Sequence, residues 1–437
     1  MRISVIGCGY LGAVHAAAMA KLGHDVVGVD VDAAKVDDLA NARAPFFEPG
    51  LPELLAESSA SGRLRFTTDM SEIAGSQVHF LCVGTPQKRG EFGADLGYVN
   101  SAFDAMLAHI SPGDVIAGKS TVPVGTAENL AERLGVAEPG AVLVWNPEFL
   151  REGFAVKDTL HPDRLVYGLP DGAPGEHAKA LLDEVYATPL SEHIPLVVTD
   201  YATAQLVKVA ANSFLATKIS FINAMAELCE ATGADVTSLA DAIGHDARIG
   251  RRFLNAGLGF GGGCLPKDIR AFMARAGELG VDQALSFLRE VDSINMRRRV
   301  RMVDLAREVS GGSIVGRRIA VLGAAFKPNS DDVRDSPALS VAAQMQLQGA
   351  HVVVTDPQAI GNARKKWPDL SFADTAEEAA TGADVVLLAT EWDEYREIDP
   401  EKLALVVREK RVLDGRNGLD PELWRAAGWT YRALGRR

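Results

Sequence analysis

The chemically densest stretch of the chain is Gly257-Leu258-Gly259-Phe260-Gly261-Gly262-Gly263-Cys264-Leu265-Pro266-Lys267-Asp268. Glycine at that density makes a poor strand and a poor helix, and suits a backbone that wraps closely round a ligand. A thiol beside a cation at a helix start ionises readily and acts as a nucleophile, with Asp268 as a nearby base. Composition alone leaves a flexible loop with an incidental cysteine open. Lys208 and Asn212 stand one helical turn apart on a mostly apolar face, where they would hydrogen-bond an oxyanion. A snorkelling lysine and a core asparagine bonded to backbone is the plainer alternative. Glu148 and Glu152, in Trp145-Asn146-Pro147-Glu148-Phe149-Leu150-Arg151-Glu152-Gly153, follow a strand-like run. They are a candidate base and water-positioning group, or ordinary acids of a helix's first turn.

Gly7-Cys8-Gly9-Tyr10-Leu11-Gly12 directly follows a strand-like run and opens a helix. The first glycine permits a tight turn, the second lets a pyrophosphate approach the backbone, and the third lets helix and strand pack closely. The helix N-terminus offers free N–H groups to the anion. Asp30 ends the next strand, where a carboxylate accepts from a ribose 2′-hydroxyl and repels a 2′-phosphate, so NAD is expected over NADP. Lys35 would touch the same ribose or stand solvated. Val83-Gly84-Thr85-Pro86 and Ser120-Thr121-Val122-Pro123 sit at strand ends and would line the cofactor. Gly323-Ala324-Ala325-Phe326-Lys327-Pro328 lacks the glycine spacing, and is not expected to hold a pyrophosphate in the same way. Phe326 would stack on a base and Lys327 would meet a phosphate. Arg334 and Arg416 are further basic groups at element ends.

These residues need elements to position them. Short β-branched runs at Ile3–Ile6, Val26–Val29, His79–Val83, Val115–Ala117, Val142–Trp145 and Leu165–Tyr167 alternate with helical patterns such as Ala13–Leu22 and Val99–Ile110. That alternation predicts a parallel sheet with crossover helices. Tyr201–Ala231 and about 283–309 read as long helices. The strand–helix rhythm restarts at Arg318. The fold class is therefore α/β, with two Rossmann-like domains joined by a helical region: 1–199, 200–312 and 313–437. A length of 437 residues agrees with about three domains. The net charge of −13 argues against nucleic acid or an anionic membrane as partner, though not against an anion in a basic pocket. Four cysteines without a C-x-x-C spacing predict no metal site, no disulfide framework and a reducing compartment. No apolar run reaches ~20 residues, and the first strand-like run begins at Arg2, so no targeting segment is expected and the reading is cytoplasmic.

In order and spacing, the glycine turn, the Asn146-Pro147-Glu148 segment, the Lys208/Asn212 helix and the Cys264 loop resemble the UDP-glucose/GDP-mannose dehydrogenase family over nearly the whole chain. The resemblance implies a four-electron, NAD-dependent oxidation of a primary alcohol to a carboxylate through a Cys264 thiohemiacetal and thioester. Lys208 and Asn212 would steady the oxyanion. Asp268, a water and Thr121 would handle the alcohol proton. Glu148 would assist hydrolysis, while Glu152, Lys267 and Arg334 would serve the cofactor beside Tyr10 and Leu11. Phe149, Leu150, Phe253, Leu254, Asn255, Gly259, Phe260, Gly261, Phe326, Lys327 and Arg416 would contact the nucleotide sugar, and Arg248 that of a neighbouring subunit across a homodimer of the central helices. Cys264-Leu265-Pro266-Lys267-Asp268 looks like the UDP-glucose and GDP-mannose branches, and Ala324 to Arg334 more like UDP-glucose; GDP-mannose is the alternative. Gly263, where many members carry serine, is expected to matter little. The rivals are a non-catalytic NAD-binding regulator and a two-electron hydroxy-acid dehydrogenase that needs no cysteine.

Overall fold

The computed structural model describes residues 1–436. They pack as two compact units, Met1–Ala211 with Arg270–Gly280, and Asn212–Ile269 with Val281–Arg437. The 32-residue helix Tyr201–Thr232 and the helix Leu265–Glu278 each contribute residues to both units.

The first unit is built on eight strands: β1 (Arg2–Ile6), β2 (Asp25–Val29), β3 (Leu64–Thr67), β4 (Val78–Leu81), β5 (Val115–Gly118), β6 (Val142–Trp145), β7 (Leu165–Gly168) and β8 (Leu196–Thr199). Their order is β3-β2-β1-β4-β5-β6-β7-β8. Strands β1, β4, β5 and β6 are almost wholly buried. They read as continuous apolar runs because helices cover both faces of a parallel sheet. Alternate residues feed two cores: Ile3, Val5, Val26 and Phe80 on one face, Ile6, Val27, Val29 and Leu81 on the other. The helix Tyr10–Lys21 is rich in alanine and buried from Gly12 to Ala20. It ends in a left-handed Gly23 (φ 102°), with the His24 amide bonded back to Met19 O.

The sheet is not parallel throughout. Strand β7 pairs antiparallel with β6 through Trp145 and Gly168, and parallel with β8. The β6–β7 connection holds only a six-residue helix, Ala155–Leu160, which packs on the Tyr10–Lys21 helix instead of crossing the sheet. Apolar runs carry no direction, so strand spacing alone could not reveal this reversal.

The second unit carries β9 (Arg318–Leu322), β10 (His351–Thr355), β11 (Ser371–Phe372), β12 (Val385–Leu388), β13 (Arg411–Asp414) and β14 (Thr430–Ala433). Their order, β11-β10-β9-β12-β13-β14, with every pair parallel, repeats the dinucleotide-binding order of the first six strands of the other sheet. The long helices Ser286–Val309 and Asn212 onward belong to this unit. Among the described residues no helix is long and apolar enough to cross a membrane, and no cluster of His, Cys, Asp and Glu could hold a metal ion.

Candidate active site

In the first unit the glycine turn links β1 to its helix. Gly7 has φ +89°, and a Cβ there would lie 2.6 Å from Val83 Cγ1. A Cβ on Gly12 would lie 1.9 Å from Gly7 O, so the third glycine is required for the turn to close on its helix. A Cβ on Gly9 would meet nothing within 4 Å, and Gly9 caps the helix without any side-chain hydrogen bond. Space and uncapped amides thus coincide where a pyrophosphate would sit. Asp30, at the end of β2, is buried. It accepts from the Cys8 amide (2.8 Å), the Asp32 amide (3.0 Å) and Lys35 Nζ (2.8 Å). A carboxylate has about four lone-pair sites, so one remains for a ribose hydroxyl. These features fit a dinucleotide. Tyr10 and Leu11, the first helical residues, are half-buried, and the Tyr10 hydroxyl donates to Glu48.

Two strand-end loops lie beside this turn. Thr85 Oγ1 donates to Thr121 O (2.7 Å) and Ser120 Oγ to Val83 O (2.6 Å), which ties Val83-Gly84-Thr85-Pro86 to Ser120-Thr121. The loop after β6 places Glu148 with Oε1 on the amides of Phe149 (2.7 Å) and Leu150 (3.0 Å), and Oε2 on Lys119 Nζ (3.0 Å). Phe149 lies under the Arg164 guanidinium (3.8 Å) and near Lys208 Nζ (5.5 Å). Buried Glu48 accepts from the amides of Gly153 (2.6 Å) and Ala155 (2.7 Å), fixing the turn that carries half-buried Glu152. Glu48, Lys119 and Arg164 escaped the sequence reading. The only hint was a lone lysine ending an apolar strand run at Gly118-Lys119.

In the second unit Cys264 is exposed and begins the Leu265–Glu278 helix, its carbonyl accepting from the Asp268 amide (2.9 Å). Asp268 is buried, with Oδ2 receiving Asn212 Nδ2 (2.7 Å) and Oδ1 receiving Lys267 Nζ (2.6 Å). The glycine loop before it is held amide by amide. Gly257 donates to Asn223 Oδ1 (2.9 Å), Leu258 to Gly415 O (2.9 Å), Phe260 to Asn295 Oδ1 (2.8 Å) and Gly262 to Arg334 O (2.8 Å). Asn295 returns a bond to Phe260 O (3.0 Å), and Arg299 donates to the same carbonyl (3.4 Å). The glycines admit close neighbours: a Cβ on Gly262 would strike the Phe326 ring at 2.8 Å, and one on Gly263 the Arg334 guanidinium at 2.2 Å.

Arg416 donates to Ala389 O (2.7 Å), Gly259 O (2.9 Å) and Phe326 O (3.2 Å), and its Nε lies 3.3 Å from Glu391 Oε2. Burial pushes its guanidinium below the ordinary arginine value. Leu254 and Phe260 are buried, and Gly261 abuts Asp335 O. Phe253 is half-buried at a left-handed φ of 67°, a backbone state that side chains rarely adopt and that clusters at functional sites. Asn255 is exposed and accepts from Arg251 (2.7 Å), and exposed Arg248 pairs with its own Asp246 (2.6 Å). Lys327 Nζ is 5.5 Å from the Phe326 ring centroid. The second unit thus gathers Cys264, Asn212, Asp268, Lys267, Arg334 and Phe326 round one glycine loop.

Sequence comparison decides what this arrangement belongs to. The NAD binding domain of the UDP-glucose/GDP-mannose dehydrogenase family matches residues 1–189, its central domain 202–297 and its UDP binding domain 320–421. The chain belongs to the UDP-glucose/GDP-mannose dehydrogenase family. A UDP-glucose 6-dehydrogenase of Rhizobium meliloti is 42% identical, with 100% of each chain covered. One from Bacillus subtilis is 41% identical over 100% of this chain and 93% of its own. The solved UDP-glucose dehydrogenase of the archaeon Pyrobaculum islandicum superposes with a TM-score of 0.89 at 38% identity, covering 100% of this chain and 98% of that one. As a dehydrogenase of this family the chain uses NAD as its cofactor, and the glycine turn with Asp30 is where its residues fit the nucleotide.

Proposed function

We propose that the chain oxidises UDP-glucose to UDP-glucuronate. The observation that carries the reading is an exposed Cys264 at the start of the helix that carries buried Asp268, itself bonded to buried Asn212 and half-buried Lys267. Bound NAD supplies the hydride acceptor in each of two oxidations. Asp268, with Thr121 and a water, takes the alcohol proton. The Cys264 thiolate adds to the aldehyde carbon, and Lys208 and Asn212 steady the oxyanion of the thiohemiacetal. Loss of the second hydride leaves a thioester. Water then breaks its C–S bond with help from Glu148, giving carboxylate and thiol. A thioester hydrolyses more readily than the ester a serine would form.

In this reading residues 1–199 hold NAD, 200–312 carry the nucleophile and 313–437 the uridine diphosphate. Lys35, Val83, Gly84, Thr85, Pro86, Glu152, Lys267 and Arg334 serve the cofactor. Phe149, Leu150, Phe253 and Phe326 to Lys327 serve the sugar nucleotide, with Arg248 reaching that of a second copy. A homodimer is supported by Phe214, Phe221 and Leu228, which recur every seven residues along the Tyr201–Thr232 helix at exposures of 67%, 48% and 57%. We place the enzyme in the cytoplasm, where its thiol stays reduced. The test is NADH absorbance with limiting UDP-glucose and, separately, GDP-mannose. Two NADH per UDP-glucose are expected. One NADH would remove the thioester step, and a signal with GDP-mannose alone would replace the substrate.

A further inference from the structure

Lys119 follows β5 and its side chain is only 3% exposed. An ammonium has three donors, and three acceptors surround this one: Glu148 Oε2 (3.0 Å), Asn146 Oδ1 (3.1 Å) and the Tyr186 hydroxyl (3.3 Å). Its partners are themselves fixed. Tyr186 donates to Asn146 Oδ1 (2.7 Å), and Asn146 Nδ2 donates to Val166 O (2.9 Å) in β7. The rings of Phe80 and Tyr186 stand 5.8 Å from the ammonium. Burial pulls the Lys119 ammonium toward its neutral form, but Glu148, with smaller help from Tyr186 and Cys82, more than offsets this and raises the lysine above its ordinary value. Nothing in the packing needs a cation here, because a buried ion pair adds little stability over apolar residues of the same size. What the pair does is hold Glu148 in place. With Oε2 on Lys119 and Oε1 on two backbone amides, three of the carboxylate's roughly four lone-pair sites are taken and the last is left for a water.

We propose that Lys119 is the positioning residue for Glu148 in thioester hydrolysis. It touches no reacting atom and keeps its proton throughout. Water oxygen bonds to the acyl carbon, the C–S bond breaks, sulfur leaves as the Cys264 thiolate, and the water proton passes to the carboxylate that Lys119 holds. The proposal deepens the function given above and rests on it.

The test compares Lys119→Met, Glu148→Gln and the double variant in the full-length enzyme with NAD and UDP-glucose. Rapid-mixing NADH absorbance separates the first oxidations from steady turnover, and intact mass reports acyl-Cys264. For Lys119→Met we expect an initial NADH phase within about threefold of the unsubstituted enzyme, steady turnover lower by about tenfold or more, and an acyl adduct on the chain. Glu148→Gln should do the same, and the double variant should be no slower than Glu148→Gln, because removing Lys119 has no effect once its charge partner is gone. If Lys119→Met alone fails to fold, the double variant, which leaves no unpaired buried charge, carries the comparison. Equal loss of both NADH phases without an adduct, while Glu148→Gln accumulates one, overturns the role of Lys119 and leaves the function standing. A double variant slowed by the product of the single effects also overturns it. If Glu148→Gln shows neither adduct nor slow phase, the hydrolytic reading of Glu148 falls and this proposal falls with it.

Discussion

The first strands of the two sheets are followed by turns of opposite character. After β1 the helix starts at once, capped by Gly9 without a side chain. After β9 the chain runs from Gly323 to Ser336 before its helix, Pro337–Leu347, begins. There Ser336 caps the Leu339 amide, and Pro337 has no amide to offer. The acids that end the second strands differ as well. Asp30 takes three donors and keeps lone-pair capacity. Asp356 takes five: Ala324 (2.8 Å), Ala325 (2.9 Å), Gln358 (2.9 Å), Ala359 (2.8 Å) and Trp392 Nε1 (3.2 Å). One strand order thus yields a helix start whose amides are open to a phosphate and one whose amides are capped by Ser336 or absent at Pro337. Sheet topology supplies the place for a nucleotide, and only spare donors and acceptors make it a site.

Substituting the glycines should break the contrast hardest. Gly12→Val puts carbon into Gly7 O, and NAD-dependent activity should fall at least about a hundredfold in a coupled NADH assay. Gly323→Ala, at φ +114° with Thr390 2.4 Å from the new carbon, should cost about 2 kcal/mol in a urea melt and leave NAD affinity in the folded fraction unchanged. Next come the acids. Asp30→Ala should weaken NAD binding about tenfold and narrow the preference over NADP, read by fluorescence titration of both. Asp356→Ala should cost about 3 kcal/mol of stability without moving that preference.

A smaller effect separates the helices that follow. His15 is fully buried against Phe80, and neither ring nitrogen has a hydrogen-bond partner among the described residues. Burial first, then the Lys119 charge, hold its imidazole well below the usual value of 6.5. The unfolded chain takes up a proton there below about pH 6.5 and the folded one does not, so stability falls on acidification by up to about 1.4 kcal/mol per pH unit. His15→Leu should flatten the melting temperature measured from pH 6.5 to 5. The Pro337–Leu347 helix has no histidine and adds no such slope. Smallest of all, Gly263→Ser needs only the tip of Arg334 to shift, so kcat should stay within about threefold.

What the sequence made legible was local. The glycine turn with Asp30, and Cys264 with Lys267 and Asp268, lie within a few turns of chain or one βα unit, and spacing shows them directly. The helix expected from Tyr201 to Ala231 spans Tyr201–Thr232 because helical periodicity over that length is unambiguous. Strands β3, β8 and β11 carried no comparable signal: β8 is half exposed and β11 is two residues long. Long-range partners were invisible for another reason. Glu48 meets Gly153, and Asn295 meets Phe260, across more than a hundred and about thirty-five residues respectively. Nothing in a single residue type announces such a bond. Arg416 gave the same difficulty from the other side: its charge suggested a ligand, while its guanidinium lies on three carbonyls and beside Glu391.

Arg270–Gly280 belongs with Met1–Ala211, and this ordering governs how the chain is made. During synthesis the first unit cannot be complete when its last strand leaves the ribosome. Its final piece emerges about 70 residues later, a delay of several seconds at ~5–20 residues per second. Until then the eight-stranded unit lacks Arg275, whose guanidinium donates to Val124 O (2.9 Å), and a truncation at Ala211 would never supply it. The cysteine loop is thus made before the first unit receives its last piece, while the loop's own partners, Asn295, Arg334 and Gly415, follow later still.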